Sequence, residues 1–195
     1  SDKGIHFIAG DAAVKIDRPR KQVHTEKGIV VDYDRLILAT GSKPFIPPIK
    51  GSDLKGVLSF RDIYDVNTML EYCKNKKNAV VIGGGLLGLE AAYGLKQRGM
   101  NVTVLHLMDR IMDRQLDARA SALLKQSIEA KGIPVLTEAN TEELIGQDGH
   151  VSQLRLKDGT VLEADFVVFA VGIRPNMALA QSAGLRCNRG VMVND

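Results

Sequence analysis

The run Val80-Val81-Ile82-Gly83-Gly84-Gly85-Leu86-Leu87-Gly88-Leu89-Glu90 constrains this chain more than any other feature. Ala79 to Ile82 reads as a short buried strand. Leu86 to Arg98 reads as a helix that Gly99 breaks, and Val102 to Leu105 as a second strand. Between strand and helix, Gly83, Gly85 and Gly88 fit G-x-G-x-x-G. Each glycine has its own physical reason. Gly83 allows the tight turn, Gly85 lets backbone approach a diphosphate, and Gly88 lets the helix pack closely on the sheet. The amides that open the helix at Leu86, together with its dipole, then hold phosphate. Such a turn between strand and helix implies a dinucleotide.

The surrounding pattern agrees with that reading. Asp62 to Lys74 reads as a helix, with Ile63, Val66, Leu70 and Cys73 on one face. A third helix runs from Asp117 to Lys131 and is ended by Gly132, and a third strand covers Pro134 to Leu136. Three antiparallel strands follow around Glu142 to Ile145, Val151 to Leu156 and Val161 to Leu162, separated by turns at Gln147-Asp148-Gly149 and Asp158-Gly159. Phe166 to Ala170 is wholly apolar, the mark of a central parallel strand. Strand, helix, strand, helix, strand in this order means an α/β fold. The expectation is a doubly wound, Rossmann-like domain with an antiparallel β-meander.

Upstream, Ala12 to Ile16, Gln22 to His24 and Ile29 to Asp32 read as a small antiparallel meander. Leu36-Ile37-Leu38-Ala39 is a buried-type apolar run ending in Thr40-Gly41-Ser42. Lys43-Pro44, Pro47-Pro48 and Gly51 then mark a linker, neither helix nor inner strand. The chain opens at Ser1 rather than Met and stops at Asp195 after a strand-like run, which reads as a piece excised from something longer.

The end of the second strand chooses the nucleotide. A carboxylate about 20 residues past the glycines accepts the ribose hydroxyls of NAD, whereas a basic residue favours the 2′-phosphate of NADP. Here His106 stands at that place, eighteen residues past Gly88. As neutral imidazole it can hydrogen-bond to ribose, as imidazolium it can touch phosphate, or it can simply fill the sheet edge. Arg110, four residues on, adds positive charge. The choice between NADH and NADPH stays open. Met108 and Met112 are read as packing under the loop after this strand.

Composition narrows the classes. With 45% hydrophobic and 25% charged residues the chain can bury a real core, and its net charge of +3 with scattered basic residues argues against nucleic acid. No apolar run reaches the ~18 residues of a membrane span, and the N-terminus lacks a signal-peptide pattern. Cys73 and Cys187 are too far apart in sequence to suggest a C-x-x-C site, and His6, His24 and His150 lack metal-ligand spacing. A reducing compartment, the cytoplasm, is expected, with no bound metal.

Three motifs together resemble the pyridine nucleotide-disulphide oxidoreductase family. Gly83 to Glu90 is similar to its G-G-G-x-x-G-x-E. Tyr33-Asp34 with Leu36 to Pro44 is similar to its Y-D-x-L-I-L-A-T-G-S-x-P segment. Phe166 to Asn176, F-V-V-F-A-V-G-I-R-P-N, is similar to its return strand toward an FAD domain. Within the family, Val104-Leu105-His106-Leu107-Met108 and Met112 to Asp117 most resemble the large subunits of assimilatory NAD(P)H-nitrite reductases. The resemblance implies that residues 1–47 are part of an FAD-binding domain, 48–171 an NAD(P)-binding domain, and 172–195 the start of the return segment. It further implies that Leu87 and Glu90 lie near the nicotinamide, with Glu90 orienting it at the helix start, and that Gly172 lies close to the cofactor. Thr40 and Gly41 would touch the flavin side, and the Ala12 backbone would meet the FAD adenine. Arg174-Pro175-Asn176 is also good turn chemistry.

The departures from the family pattern matter as much. No second G-x-G-x-x-G occurs before Thr40, so FAD binding by these residues alone is expected to be weak or absent. The Gly-Asp that holds the FAD ribityl chain would lie beyond Asp195, and a redox-active cysteine pair would lie upstream. Siroheme and iron-sulfur ligands would also lie outside, since two lone cysteines cannot hold a four-cysteine cluster. The implied parent is an FAD-dependent oxidoreductase that passes a hydride from NAD(P)H to FAD and then electrons to an accepting domain or subunit, feeding nitrite reduction. Ferredoxin or rubredoxin reductase and NADH oxidase are the enzyme alternatives. A nucleotide-binding module without turnover is the alternative of another class. No side chain in this chain is expected to act as acid, base or nucleophile.

Overall fold

The computed structural model describes residues 4–194. Ser1 and Asp195, on which the reading of an excised piece rests, lie outside them. The chain divides into two units, Ser1–Lys43 with Arg174–Asp195, and Pro44–Ile173.

In the smaller unit, β1 (Ala13–Asp17), β2 (Gln22–Thr25) and β3 (Val30–Asp32) form an antiparallel sheet in that order. The turns are locally encoded. Asp17 Oδ1 accepts the Arg20 amide at 3.1 Å, and Gly28 takes φ 88° while Thr25 Oγ1 accepts from Ile29 N at 3.0 Å. Of the meander side chains only Ile16 and Thr25 are buried. The apolar run Leu36 to Ala39 departs from expectation. It forms no strand, and Ile37 is 89% exposed. An apolar run becomes a buried strand only where others pair with it, and none of the described residues does so. β4 (Ser42–Pro44) closes this part of the chain.

The larger unit is organised by one parallel sheet. Its elements are β5 (Val57–Ser59), α1 (Ile63–Asn75), β6 (Asn78–Ile82), α2 (Leu86–Gln97), β7 (Asn101–Leu105), α3 (Ala118–Glu129) and β8 (Val135–Leu136). They continue with β9 (Thr141–Gln147), β10 (His150–Leu156), β11 (Val161–Glu163) and β12 (Phe166–Phe169). The five-stranded order is β5-β12-β6-β7-β8, every pair parallel, while β11-β10-β9 form a separate antiparallel sheet. Strands step outward from β6 through β7 to β8, and the chain then returns to lay β12 on the other side of β6. The order therefore reverses between β6 and β12, where an open α/β sheet leaves a crevice beyond its carboxyl ends.

Alternation along the strands sorts the core into two layers. Val81, Val104, Phe166 and Val168 pack with Met69 of α1, Ala91, Ala92 and Leu95 of α2, and Leu124 and Ile128 of α3. Their neighbours Val80, Ile82, Leu105, Val167 and Phe169 pack with Leu144, Val151, Leu154 and Leu156 of the meander. With both faces covered, these strands have to be continuously apolar. Glu143 is a buried exception on β9; it pairs with Arg155 and, at 2.6 Å, with Lys50. β5 has no sequence forerunner, because three residues carry no pattern and their pairing with β12 alone makes them a strand.

Helix α1 begins where Asp62 caps it, its carboxylate accepting from Tyr64 N at 2.8 Å and Asp65 N at 3.1 Å. Asp62→Ala is expected to cost about 1 kcal/mol, read as a lower urea midpoint at unchanged slope. The buried face of α1 centres on Met69, flanked by half-buried Val66, Tyr72 and Cys73. Ile63, expected on that face, is 63% exposed, since it sits about 120° round the helix from Met69. Burial raises the Cys73 thiol above its ordinary range, and the nearby Arg98 cation partly offsets this.

After the larger unit, β13 (Ile173–Pro175) pairs with β4, and α4 (Ala178–Ser182) packs on β1. Arg174-Pro175 is thus strand rather than turn. Asn176 forms a clasp, its amide donating to Gly41 O at 2.9 Å and its Nδ2 to Thr40 O at 2.9 Å. Among the described residues, no helix is long and apolar enough to cross a membrane.

Candidate functional site

The expected site residues fall into two sets, one in each unit. Gly83, Gly85, Leu86, Leu87, Gly88, Glu90, His106, Arg110 and Gly172 belong to the larger unit, and Ala12, Thr40 and Gly41 to the smaller.

The first set gathers at the carboxyl ends of β6, β7 and β12. Gly83 leaves the sheet with φ 125°, its amide donating to Leu105 O at 2.8 Å. A Cβ there would come within 2.7 Å of the Ala170 carbonyl carbon, so the turn passes hard against the end of β12. Gly88 is as confined. A Cβ on it would overlap the Gly83 carbonyl oxygen and lie 2.9 Å from its carbon. Gly85 differs from both. Its φ of −89° suits any residue, and an added Cβ would meet nothing within 4 Å. Nothing inside the chain requires glycine at 85. The open space above it lies where Gly85 caps α2 without a side-chain hydrogen bond.

The first helical amide with an acceptor of its own is Leu89 N, donating to Gly85 O at 3.0 Å. The amides of Leu86, Leu87 and Gly88 precede it and have no intrahelical partner. Leu86 (58% exposed) and Leu87 project from this turn into open space. Three donors without an intrahelical partner, a positive dipole end and a bare glycine are together able to hold an anion. Glu90 is exposed on the second turn of α2, so it is not a carboxylate of the helix start. Gly172, φ 115°, follows β12 on the other side of the crevice, and its carbonyl accepts from Phe45 N at 3.0 Å.

His106 turns inward. Its Nδ1 accepts from Gly84 N at 3.0 Å, so this nitrogen is unprotonated and Nε2 bears the ring proton. Nε2 lies 3.3 Å from Asp113 Oδ1, an electrostatic contact without hydrogen-bond alignment. The Gly84 carbonyl accepts from Met112 N at 2.9 Å, and a Cβ on Gly84 would lie 2.7 Å from Ile111 Cγ2. Sequence reasoning gave no site role to Gly84 or Asp113, and read Met112 only as packing under the loop after β7. The glycine triplet was the available signal, because G-x-G-x-x-G leaves its second position free. Met112 is buried as expected, but Met108 is 49% exposed, since the chain turns outward past β7. Arg110 is half-exposed, its Nη1 3.4 Å from Asp109 Oδ1, a surface pair that contributes little.

In the smaller unit, Thr40 Oγ1 donates to Asn176 O at 2.7 Å, completing the clasp around Gly41, whose φ is 65°. Ala12 is exposed, and its carbonyl accepts from Glu26 N at 2.8 Å. Among the described residues, no three His, Cys, Asp or Glu side chains cluster as a metal site.

Comparisons with known proteins identify the family and the fold. The family model for pyridine nucleotide-disulphide oxidoreductase matches residues 1–195. The chain is 52% identical over 194 residues to a nitrite reductase [NAD(P)H] of Bacillus subtilis, covering 100% of this chain and 24% of that protein. It is 44% identical to an assimilatory nitrate reductase electron transfer subunit of the same organism, covering 98% of this chain and 25% of that one. Among solved structures, a ferredoxin reductase from Rhodopseudomonas palustris superposes with a TM-score of 0.93 at 31% identity, over 98% of this chain and 47% of that one. The chain thus spans about a quarter of the length of these curated relatives.

Proposed function

Since this chain belongs to the pyridine nucleotide-disulphide oxidoreductase family, we propose that its larger unit binds NADH or NADPH and presents the nicotinamide for hydride transfer in a flavoprotein. The observation that carries this reading is Gly85, bare and unconfined at the start of α2, at the crevice where the strand order reverses. The unpaired amides of Leu86 and Leu87 hold the diphosphate, while Gly172 and the exposed Glu90 flank the place of the nicotinamide. The terminal acceptor is nitrite, supported by the 52% identity with a nitrite reductase. A small iron-sulfur protein is the second reading, supported by the likeness to a ferredoxin reductase.

FAD, if bound, would supply a two-electron hydride acceptor able to pass electrons onward. The described residues fit only part of it. One phosphate-cradling glycine turn is present, and it is assigned to the pyridine nucleotide. Thr40, Gly41 and the Ala12 backbone offer an edge of the flavin nucleotide, and Ile37 stands uncovered beside them in sequence. Siroheme and an iron-sulfur cluster would be held by other parts of the parent enzyme. The chain by itself is then a nucleotide-binding module without turnover.

Calorimetric titration of the chain with NADH, NADPH and ADP-ribose tests this reading. Saturable binding of all three is expected, with a visible spectrum free of flavin. Absence of binding for both nucleotides at millimolar concentration would remove the assignment, and one FAD per purified chain would refute the module reading.

A further inference from the structure

Both backbone polar groups of Gly84 are held by the segment that follows β7. Its amide donates to His106 Nδ1 at 3.0 Å, and its carbonyl accepts from Met112 N at 2.9 Å. The imidazole is itself firmly mounted. His106 N donates to Leu136 O at 2.8 Å, His106 O accepts from Ala139 N at 2.9 Å, and the side chain is only 12% exposed. Asp113 faces the other ring nitrogen, favouring the tautomer in which Nδ1 is free to accept. A middle glycine has more rotational freedom than any other residue, and its peptide sets the direction of the amides after it. A phosphate cradle works through fixed donors, since donors that must first be ordered bind more weakly.

We infer that His106 is a positioning residue for diphosphate binding rather than a ligand of the ribose. The Nδ1 acceptor fixes the Gly83–Gly84 peptide while Met112 N fixes the Gly84–Gly85 peptide, and only with both held do Gly85, Leu86 and Leu87 present their amides in one direction. The Asp113 carboxylate lies beside Nε2 without a hydrogen bond to it, a placement that favours a proton on that nitrogen. The inference rests on the nucleotide-binding reading above and goes beyond it by naming what fixes the cradle. It also separates His106 from nucleotide choice, because the diphosphate is common to NADH and NADPH.

The test is calorimetric titration of the chain and three variants with NADH and NADPH, with circular dichroism to confirm folding. His106→Asn places Oδ1 where Nδ1 stands and keeps the acceptor. His106→Gln carries its polar group out toward the Nε2 position, and His106→Leu has none. The Asn variant is expected within about threefold of the parent chain for both nucleotides. The Gln and Leu variants are expected to bind both about tenfold more weakly, the scale of one lost hydrogen bond, with the NADH-to-NADPH ratio unchanged. Unchanged affinity in the folded Leu variant would overturn the role, even if its unfolding midpoint fell. So would a changed ratio, which marks a side chain that touches the ribose end. Should the Leu variant not fold, the Asn and Gln variants decide alone, and equal affinities in those two would overturn the role. If the parent chain binds neither nucleotide, the failure is that of the binding reading, and the positioning role falls with it.

Discussion

Replacing Gly85 with valine is expected to weaken NADH and NADPH binding by about a hundredfold or more, equivalent to ~2.7 kcal/mol, while the chain stays folded. A Cβ at this position meets no protein atom within 4 Å, and φ is −89°, so neither packing nor backbone conformation resists the change. Loss of glycine from the helix cap costs on the order of 1 kcal/mol, a small part of the stability of a domain. The branched side chain would instead project into the space that a diphosphate needs beside the amides of Leu86 and Leu87. Calorimetry on the variant, with its unfolding midpoint measured in parallel, separates the two effects. A folded valine variant that binds either nucleotide like the parent chain would mean that the phosphates lie elsewhere.

Gly88→Ala should do the reverse and strike the fold. Alanine is the better helix former by about 1 kcal/mol, so an exposed helical glycine gains from this change. At Gly88 the new methyl would overlap the Gly83 carbonyl oxygen, and both partners are backbone. Helix α2 would have to lift off the turn that starts it, at a net cost of about 3 kcal/mol, the upper range for overpacking. Gly94 supplies the internal control. It lies on the same helix, exposed, with nothing within 4 Å of an added Cβ, and Gly94→Ala is expected to stabilise by up to about 1 kcal/mol. Urea unfolding of the two variants should therefore shift in opposite directions. A stabilised Gly88→Ala would show that α2 does not approach the turn so closely.

These two glycines also show how far the site could be read before the fold was known. Spacing alone distinguished Gly83, Gly85 and Gly88, because a strand that turns straight into a helix demands particular backbone there. Their different confinement follows only from what lies beside them. Ala170, some 87 positions beyond Gly83, limits that residue through the pairing of β12 with β6. Position in sequence placed His106 at the end of β7 and left three roles open. The direction of its ring toward Gly84 depends on the path of residues 107–113, which no periodicity reveals.

What the sequence determined by itself was local. Helix starts at Asp62 and Asp117, stops at Gly99 and Gly132, the antiparallel meanders and the apolar run of β12 all rest on neighbours within a few positions. Those signals sufficed for the α/β class and for the turn where a dinucleotide would bind. Tertiary structure alone decided whatever depends on remote partners. Val57–Ser59 became a strand because β12 lies beside it, and Ile173–Pro175 because β4 does. Leu36 to Ala39, more apolar than either, stayed irregular for want of a partner among the described residues. Strand formation is a contract between segments, since backbone hydrogen bonds of a sheet are made across strands, whereas a helix satisfies its own.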